Sequence, residues 1–303
     1  MGDQSPNTVS KGIVVGYDGS SGSFAALDWA AATAQRWGTT LTVLHSVDLA
    51  AAPNEPAYDF DRLPESLAET GRAMLAAGVA RARQLMTEPS QVIGLPAVGS
   101  PAAELVSASK DADLVVTGSR GRGPLAAGVL GSVAYMVTAH ASCPAVVVRA
   151  EHPVPAGPEH PVVVGVDDSR ASERALDLAA EMAATSGAAL HIVHVAHSSF
   201  SPDAQAYVET TRAGNDHTKA VRAQAQETAQ RAARRAQATY ANLPIDTEVL
   251  YGNPGHVLSP LGAHAGLIVV GTRGHGGFAG LLLGSVSHTV IHEAPCPVMV
   301  TRG

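Results

Sequence analysis

Two kinds of apolar spacing alternate along this chain. Short blocks such as Ile13, Val14 and Val15, or Leu114, Val115 and Val116, run without a polar interruption, and the segments between them carry alanine and leucine at helical spacing. A strand with one wet face alternates apolar and polar side chains, whereas a strand covered on both faces reads as a continuous apolar run. The pattern therefore predicts a parallel sheet whose strands are joined by crossover helices. The expected order is a strand at 13–15, an Ala-rich helix, a strand at 41–47, and a variable Pro-containing stretch at 48–65. A long helix follows, then a strand and helix within 91–109, the strand Asp-Leu-Val-Val-Thr, a last helix and a strand at 145–149.

The same order then starts again. Gly16, Asp18, Ser20, Leu27, Asp28, Gly38 and His45 match Gly165, Asp167, Ser169, Leu176, Asp177, Gly187 and His194 at an offset of 149 residues. Gly99, Gly118, Gly131 and Cys143 match Gly252, Gly271, Gly284 and Cys296 at an offset of 153. The four extra residues fall between the second strand and Gly252, in the region of the variable stretch 197–216 and the long helix after it. That helix, rich in Ala, Gln and Arg, is strongly helix-favouring, and its basic stripe reads as a solvated face. Four prolines between 153 and 161 make an extended connector. The reading is an α/β protein of two tandem doubly wound parallel-sheet modules, Rossmann-like, at 9–150 and 160–303, since an internal repeat of this kind decides the fold.

The 303 residues suffice for two cores. A formal charge of −7 without a block of Lys or Arg argues against a nucleic-acid partner. A polar start and the lack of any apolar run of roughly 18 residues point to a cytoplasmic protein without a membrane partner. Cys143 and Cys296, each in a Cys-Pro step before a strand, read as small buried hydrophobes rather than a disulfide.

Ligands of open parallel sheets bind beyond the carboxyl ends of the strands. After the fourth strand both copies carry Gly-x-x-Gly, nine further residues, then Gly-Ser: 118–132 and 271–285. Glycines admit positive φ and let amides converge on an anion, and Gly-Ser at a helix start adds the favourable end of a helix dipole. One such loop would be weak; two at matched spacing are a specific signal for a phosphate-bearing ligand.

The opening Val-Val-Gly-x-Asp-x-Ser, the Gly-x-x-Gly-x9-Gly-Ser loop and the closing Cys-Pro-Val strand resemble the ATP-binding subgroup of the universal stress protein family, over nearly the whole chain. The resemblance implies that ATP binds at two sites per chain. For the first it implies Gly16 and Asp18, the end of the second strand at Ser46, and the loop residues Gly118, Ser119, Arg120, Gly121, Arg122, Gly123, Gly131, Ser132 and Val133. For the second it implies Gly165, Asp167, Val195, Gly271, Thr272, Arg273, Gly274, His275, Gly276, Gly284, Ser285 and Val286. The departures are Gly266 in place of Asp113 and His275 in place of Arg122. A second role stays open for Asp18 and Asp167, as cap residues of the first helix, and for Arg120 and Arg273, as surface charges. His45 and His194 read as structural histidines, since no Cys or carboxylate keeps zinc-like spacing with them.

The expected function is nucleotide-dependent regulation in a stress response, with Mg²⁺ on the phosphates and no catalytic residues. A slow ATP-hydrolysing or adenylate-forming enzyme is the alternative. No Gly-x-x-x-x-Gly-Lys-Ser/Thr loop is present, and no carboxylate close to the glycine loop in sequence reads as a base. The apolar last strands are expected at sheet edges, and the resemblance implies that they associate modules within the chain and chains into a homodimer. With both side chains facing the phosphates, the Arg122/His275 difference predicts that ATP affinity at the second site alone rises on acidification; the other reading, with residue 275 facing solvent and its charge screened, stays open.

Overall fold

The computed structural model describes residues 12–48, 64–88, 91–121, 130–149, 153–196, 212–274 and 283–302. It divides into two compact units between Pro153 and Val154.

The first unit runs β1 (Ile13–Gly16), α1 (Ser21–Trp37), β2 (Leu41–Val47), α2 (Glu65–Leu85), β3 (Val92–Val98), α3 (Pro101–Ala108), β4 (Leu114–Gly118), α4 (Ser132–His140) and β5 (Ala145–Val148). Its strands lie in the order β3-β2-β1-β4-β5, all parallel. The second unit runs β6 (Val162–Val166), α5 (Arg170–Ser186), β7 (Leu190–Ala196), α6 (Arg212–Thr239), β8 (Ile245–Tyr251), α7 (Pro254–Leu258), a 3₁₀ turn (Ser259–Ala263), β9 (Leu267–Gly271), α8 (Ser285–Glu293) and β10 (Val298–Thr301). Its strands repeat the order as β8-β7-β6-β9-β10, again parallel. In each unit the first two helices pack together on one face and the last two on the other. This is the doubly wound arrangement.

The repeated small and polar residues have local causes. Ser20 accepts from the Ser23 amide at the start of α1, and Ser169 accepts from Ser172 at the start of α5. Gly38 and Gly187 end those helices at φ of 62° and 68°, where a side chain would be strained. Val14, Leu44, Leu105, Val115 and Val137 form the core under α3 and α4.

Two expectations need correction. Burial on both faces holds for β1, β4 and β5 but not for β3 or β8. Ile93 on β3 is 51% exposed and Tyr251 on β8 is 40% exposed, each strand lying beyond β2 or β7 at one end of its unit's order. Pro96 within β3 is compatible with that position. The helix that the repeat predicts in the second copy, over 245–264 with the strand before it, is also interrupted: α7 stops at Leu258 and continues as the 3₁₀ turn. Pro260 lacks the amide that would bond back to His256, and the first copy, with Ser107 there, keeps an α-helix to Ala108. Among the described residues no helix is long and apolar enough to cross a membrane.

Candidate functional site

In the first unit the chain leaves β1 toward β2 on one side and returns to β4 on the other, so the loops beyond β1 and β4 diverge and open a crevice. A cavity of about 250 Å³ fills it. Gly16, Asp18, Ser46, Gly118, Arg120, Gly121, Gly131, Ser132 and Val133 all line it, together with Tyr17, Ser23, Leu44, His45, Pro101, Leu105, Thr117 and Ala134. Arg122 and Gly123 lie outside the described residues.

Asp18 links the two loops. Its Oδ1 accepts from the Ser20 amide at 3.0 Å and from the Ser20 hydroxyl at 2.6 Å, while Ser20 Oγ accepts from the Ser23 amide at 3.2 Å. The carboxylate thus supports the cap residue of α1 rather than being the cap itself. Its other oxygen, Oδ2, would be 2.7 Å from a β-carbon on Gly121. Gly118 and Gly22 allow a second close approach: a β-carbon on Gly118 would stand 2.6 Å from the Gly22 carbonyl, and one on Gly22 2.6 Å from the Arg120 carbonyl oxygen. Positive φ, the expected reason for glycine here, is not found at Gly118, Gly121 or Gly131, nor at Gly271, Gly274 or Gly284. Close approach takes its place at Gly118, Gly121, Gly271, Gly274 and Gly284, where a β-carbon would fall within 3.0 Å of a neighbouring atom.

The loop closes on the first turn of α4. The Gly131 amide donates to the Ser119 carbonyl at 2.8 Å, and the Ser119 amide donates to the Val148 carbonyl at 2.8 Å. Ser119 is buried and its backbone is spent on the fold. Gly131, the N-cap of α4, provides no side-chain bond to the helix start. The first turn, Ser132 to Ala134, therefore brings amides and the positive end of the helix dipole to the cavity wall. At the opposite wall His45 Nδ1 lies 2.8 Å from the Tyr17 carbonyl oxygen. A carbonyl only accepts, so Nδ1 carries the proton. Ser46 Oγ donates to the Gly99 carbonyl at 2.8 Å. Thr117 Oγ1 is buried without a hydrogen-bond partner among the described residues.

The second unit rebuilds this arrangement. Asp167 Oδ1 accepts from the Ser169 amide at 3.0 Å and hydroxyl at 2.6 Å, and its Oδ2 abuts Gly274. The Gly284 amide donates to the Thr272 carbonyl, and the Thr272 amide to Thr301, both at 2.7 Å. Gly165 packs against Leu258 as Gly16 does against Leu105, and Gly271 against Ala171. His194 Nδ1 lies 2.8 Å from the Val166 carbonyl oxygen. Arg273, Ser285 and Val286 follow at the same loop and helix start, and Val195 is buried at the end of β7. His275 and Gly276 lie outside the described residues, so the acid-dependent difference between the sites does too. Four polar positions differ: Val166 replaces Tyr17, Val195 replaces Ser46, Val270 replaces Thr117, and Ser287 replaces Ala134, with its Oγ 3.0 Å from the Gly284 carbonyl.

Sequence reasoning missed Pro101 and Leu105 on the cavity wall. Their counterparts Pro254 and Leu258 stand at the 153-residue offset, so the repeat itself carried that signal. No group of three or more His, Cys, Asp or Glu side chains suited to a metal ion occurs among the described residues.

Comparison with known proteins agrees with this architecture. The universal stress protein family matches residues 10–149 and again 159–302. Universal stress protein Rv2005c of Mycobacterium tuberculosis is 35% identical over 96% of this chain and 97% of its own length. Universal stress protein Rv2623 of the same organism is 33% identical over 97% of each. A crystal structure of a universal stress protein from Archaeoglobus fulgidus superimposes with a TM-score of 0.68 over 97% of this chain and 98% of its own, at 21% identity, which speaks to the fold. With its fold and two glycine loops repeated in register, the chain belongs to the universal stress protein family and carries two copies of the family's domain.

Proposed function

We propose that each unit binds one adenine nucleotide, ATP, and that occupancy regulates the protein in a stress response. The observation that carries this reading is the cavity at the strand-order reversal, where the Asp18–Gly121 junction, Arg120 and the first turn of α4 converge. An apolar wall of Leu44, Pro101 and Leu105 suits a base, and the cationic, amide-rich opposite wall suits phosphates. Mg²⁺ would then bridge phosphate oxygens and draw little from protein carboxylates. Binding without efficient turnover fits a cavity whose carboxylate, Asp18, is engaged by Ser20 through one oxygen and packed on Gly121 through the other. Association of chains into a homodimer in the cytoplasm completes the proposal.

The test is the nucleotide released by acid from freshly purified protein, followed by calorimetric titration of the stripped chain. Two ATP per chain is the expected result. Absence of nucleotide together with no heat on adding ATP, ADP or AMP would overturn the reading, and light scattering at the monomer mass with and without ATP would overturn the dimer.

A further inference from the structure

Side chains on one face of a strand recur at every second residue, so Thr117 on β4 points to the same side as Val115, which packs with Leu105 and Val137 in the core under α3 and α4. Val15 is in register with Val116, so Gly16 stands beside Thr117 on the neighbouring strand and places no side chain over it. Thr117 lines the cavity there, next to Gly16 and Leu105. It is 3% exposed, and its Oγ1 has no hydrogen-bond partner among the described residues. Other buried threonines have one: Thr33 donates to the Trp29 carbonyl at 3.0 Å, Thr138 to the Ala134 carbonyl at 2.9 Å and Thr228 to Asp168 Oδ2 at 2.8 Å. The fold does not require the hydroxyl. In the second unit Val270 holds the position, with a methyl group 3.7 Å from where a β-carbon on Gly165 would stand, on the side where Leu258 packs.

A buried hydroxyl left without a partner destabilises a fold relative to a methyl group of the same shape, and a ligand atom that supplies the partner recovers that loss on binding. The wall around Thr117 is apolar, with Leu44, Pro101 and Leu105, and suits a base. The ring nitrogens and the amine of adenine accept and donate, and a hydroxyl can answer either. Val270 can answer neither, so the same base atom would lie bare against a methyl group in the second unit. We propose that Thr117 is a specificity-determining residue that hydrogen-bonds the base in the first unit, that Val270 leaves the second unit without this contact, and that the two sites of one chain therefore bind ATP unequally, the first more tightly. The inference rests on the nucleotide reading above and makes the two sites distinct in what they recognise.

The experiment titrates the full chain by calorimetry with ATP and with the triphosphate of indole riboside, whose two-ring base keeps the shape of adenine and carries neither a ring acceptor nor an amine. The unaltered chain should show two classes of ATP site, about five- to tenfold apart, and a single class for the indole nucleotide. Thr117→Val should weaken the tighter ATP class to the level of the other and change indole-nucleotide affinity by less than about twofold. Thr117→Ser, which keeps the hydroxyl, should preserve the tighter class, and Val270→Thr should tighten the weaker one. A single ATP class in the unaltered chain, two classes that Thr117→Val leaves unmoved, or equal losses of ATP and the indole nucleotide would overturn the contact while leaving nucleotide binding intact. Should Thr117→Val not fold by circular dichroism, the two nucleotides on the unaltered chain decide: a gap between classes of the same size for both would overturn it. Failure of the unaltered chain to bind either nucleotide would overturn both proposals.

Discussion

Asp18 Oδ2 occupies the place where a β-carbon on Gly121 would need room, at 2.7 Å, and Asp167 stands against Gly274 in the same manner. The carboxylate beyond the first strand and the glycine loop beyond the fourth are therefore fitted to each other before any ligand arrives. Gly121→Ala should destabilise the first unit by about 1–3 kcal/mol and weaken nucleotide binding there. Shortening the acid in the same chain, Asp18→Ala, should remove the clash, so that the double change costs less than the sum of the single ones. Additive losses in urea denaturation would show that the two residues do not meet.

Asp28 and Arg81 clamp α1 to α2 through two bonds, Nε to Oδ1 at 2.7 Å and Nη2 to Oδ2 at 2.6 Å. The guanidinium also sits 5.2 Å above the Phe24 ring, and the Asp28 hydrogen bond raises its pKa. Arg235 and Asp177 repeat the clamp between α5 and α6. The first pair is 41% and 38% exposed, so solvent takes much of its strength, and Asp28→Ala should cost about 1 kcal/mol. Asp177→Ala should cost less, since that pair is 48% and 52% exposed. Denaturation midpoints of the two variants check the ranking.

Asp168 has a φ of 63°, where the first copy has Gly19 at 77°. Its Oδ2 accepts from Thr228 Oγ1 and from Arg231, both at 2.8 Å, which ties the loop after Asp167 to α6. Asp168→Gly relieves the backbone and loses the tie, so the stability should change by less than about 0.5 kcal/mol. Asp168→Ala loses the tie and keeps the strain, so it should cost about 1–2 kcal/mol. Thermal unfolding of the two variants, with glycine the milder change, is the expected outcome; the reverse order would refute the account.

Burial pushes the thiols of Cys143 and Cys296 up to about 12 from 9.0. Neither should react with iodoacetamide in the native protein at pH 8, and both should react once it is unfolded. The sign of the pH effect follows from proton binding. Between pH 9 and 12 the unfolded chain gives up thiol protons that the folded chain retains, so the unfolded state binds fewer protons and stability falls as pH rises. Replacing both with alanine should flatten that fall relative to the unaltered protein. An equal slope in the two proteins would assign the fall to other groups.

The sequence by itself determined the class of fold and its duplication, and it pointed to the loops that line the candidate site. Continuous apolar runs are satisfied by strands covered on both faces, and two matched sets of them mark two modules. Strands at 41–47 and 190–196 were legible to the residue because each begins just after a glycine-ended helix. Local rules also located Ser20 and Ser169, Gly38 and Gly187. Tertiary structure decided what spacing along a chain does not encode. The glycines of the loop were legible as glycines, but their reason was not: Gly121 faces a carboxylate 103 residues earlier in the chain, at Asp18, and Gly118 faces the backbone of Gly22. Leu105 looked like any apolar helix residue until packing on Gly16 brought it to the cavity wall. Periodicity reports how a segment meets its own neighbours, whereas strand order and register depend on how distant segments pack, and the site is made where those segments meet.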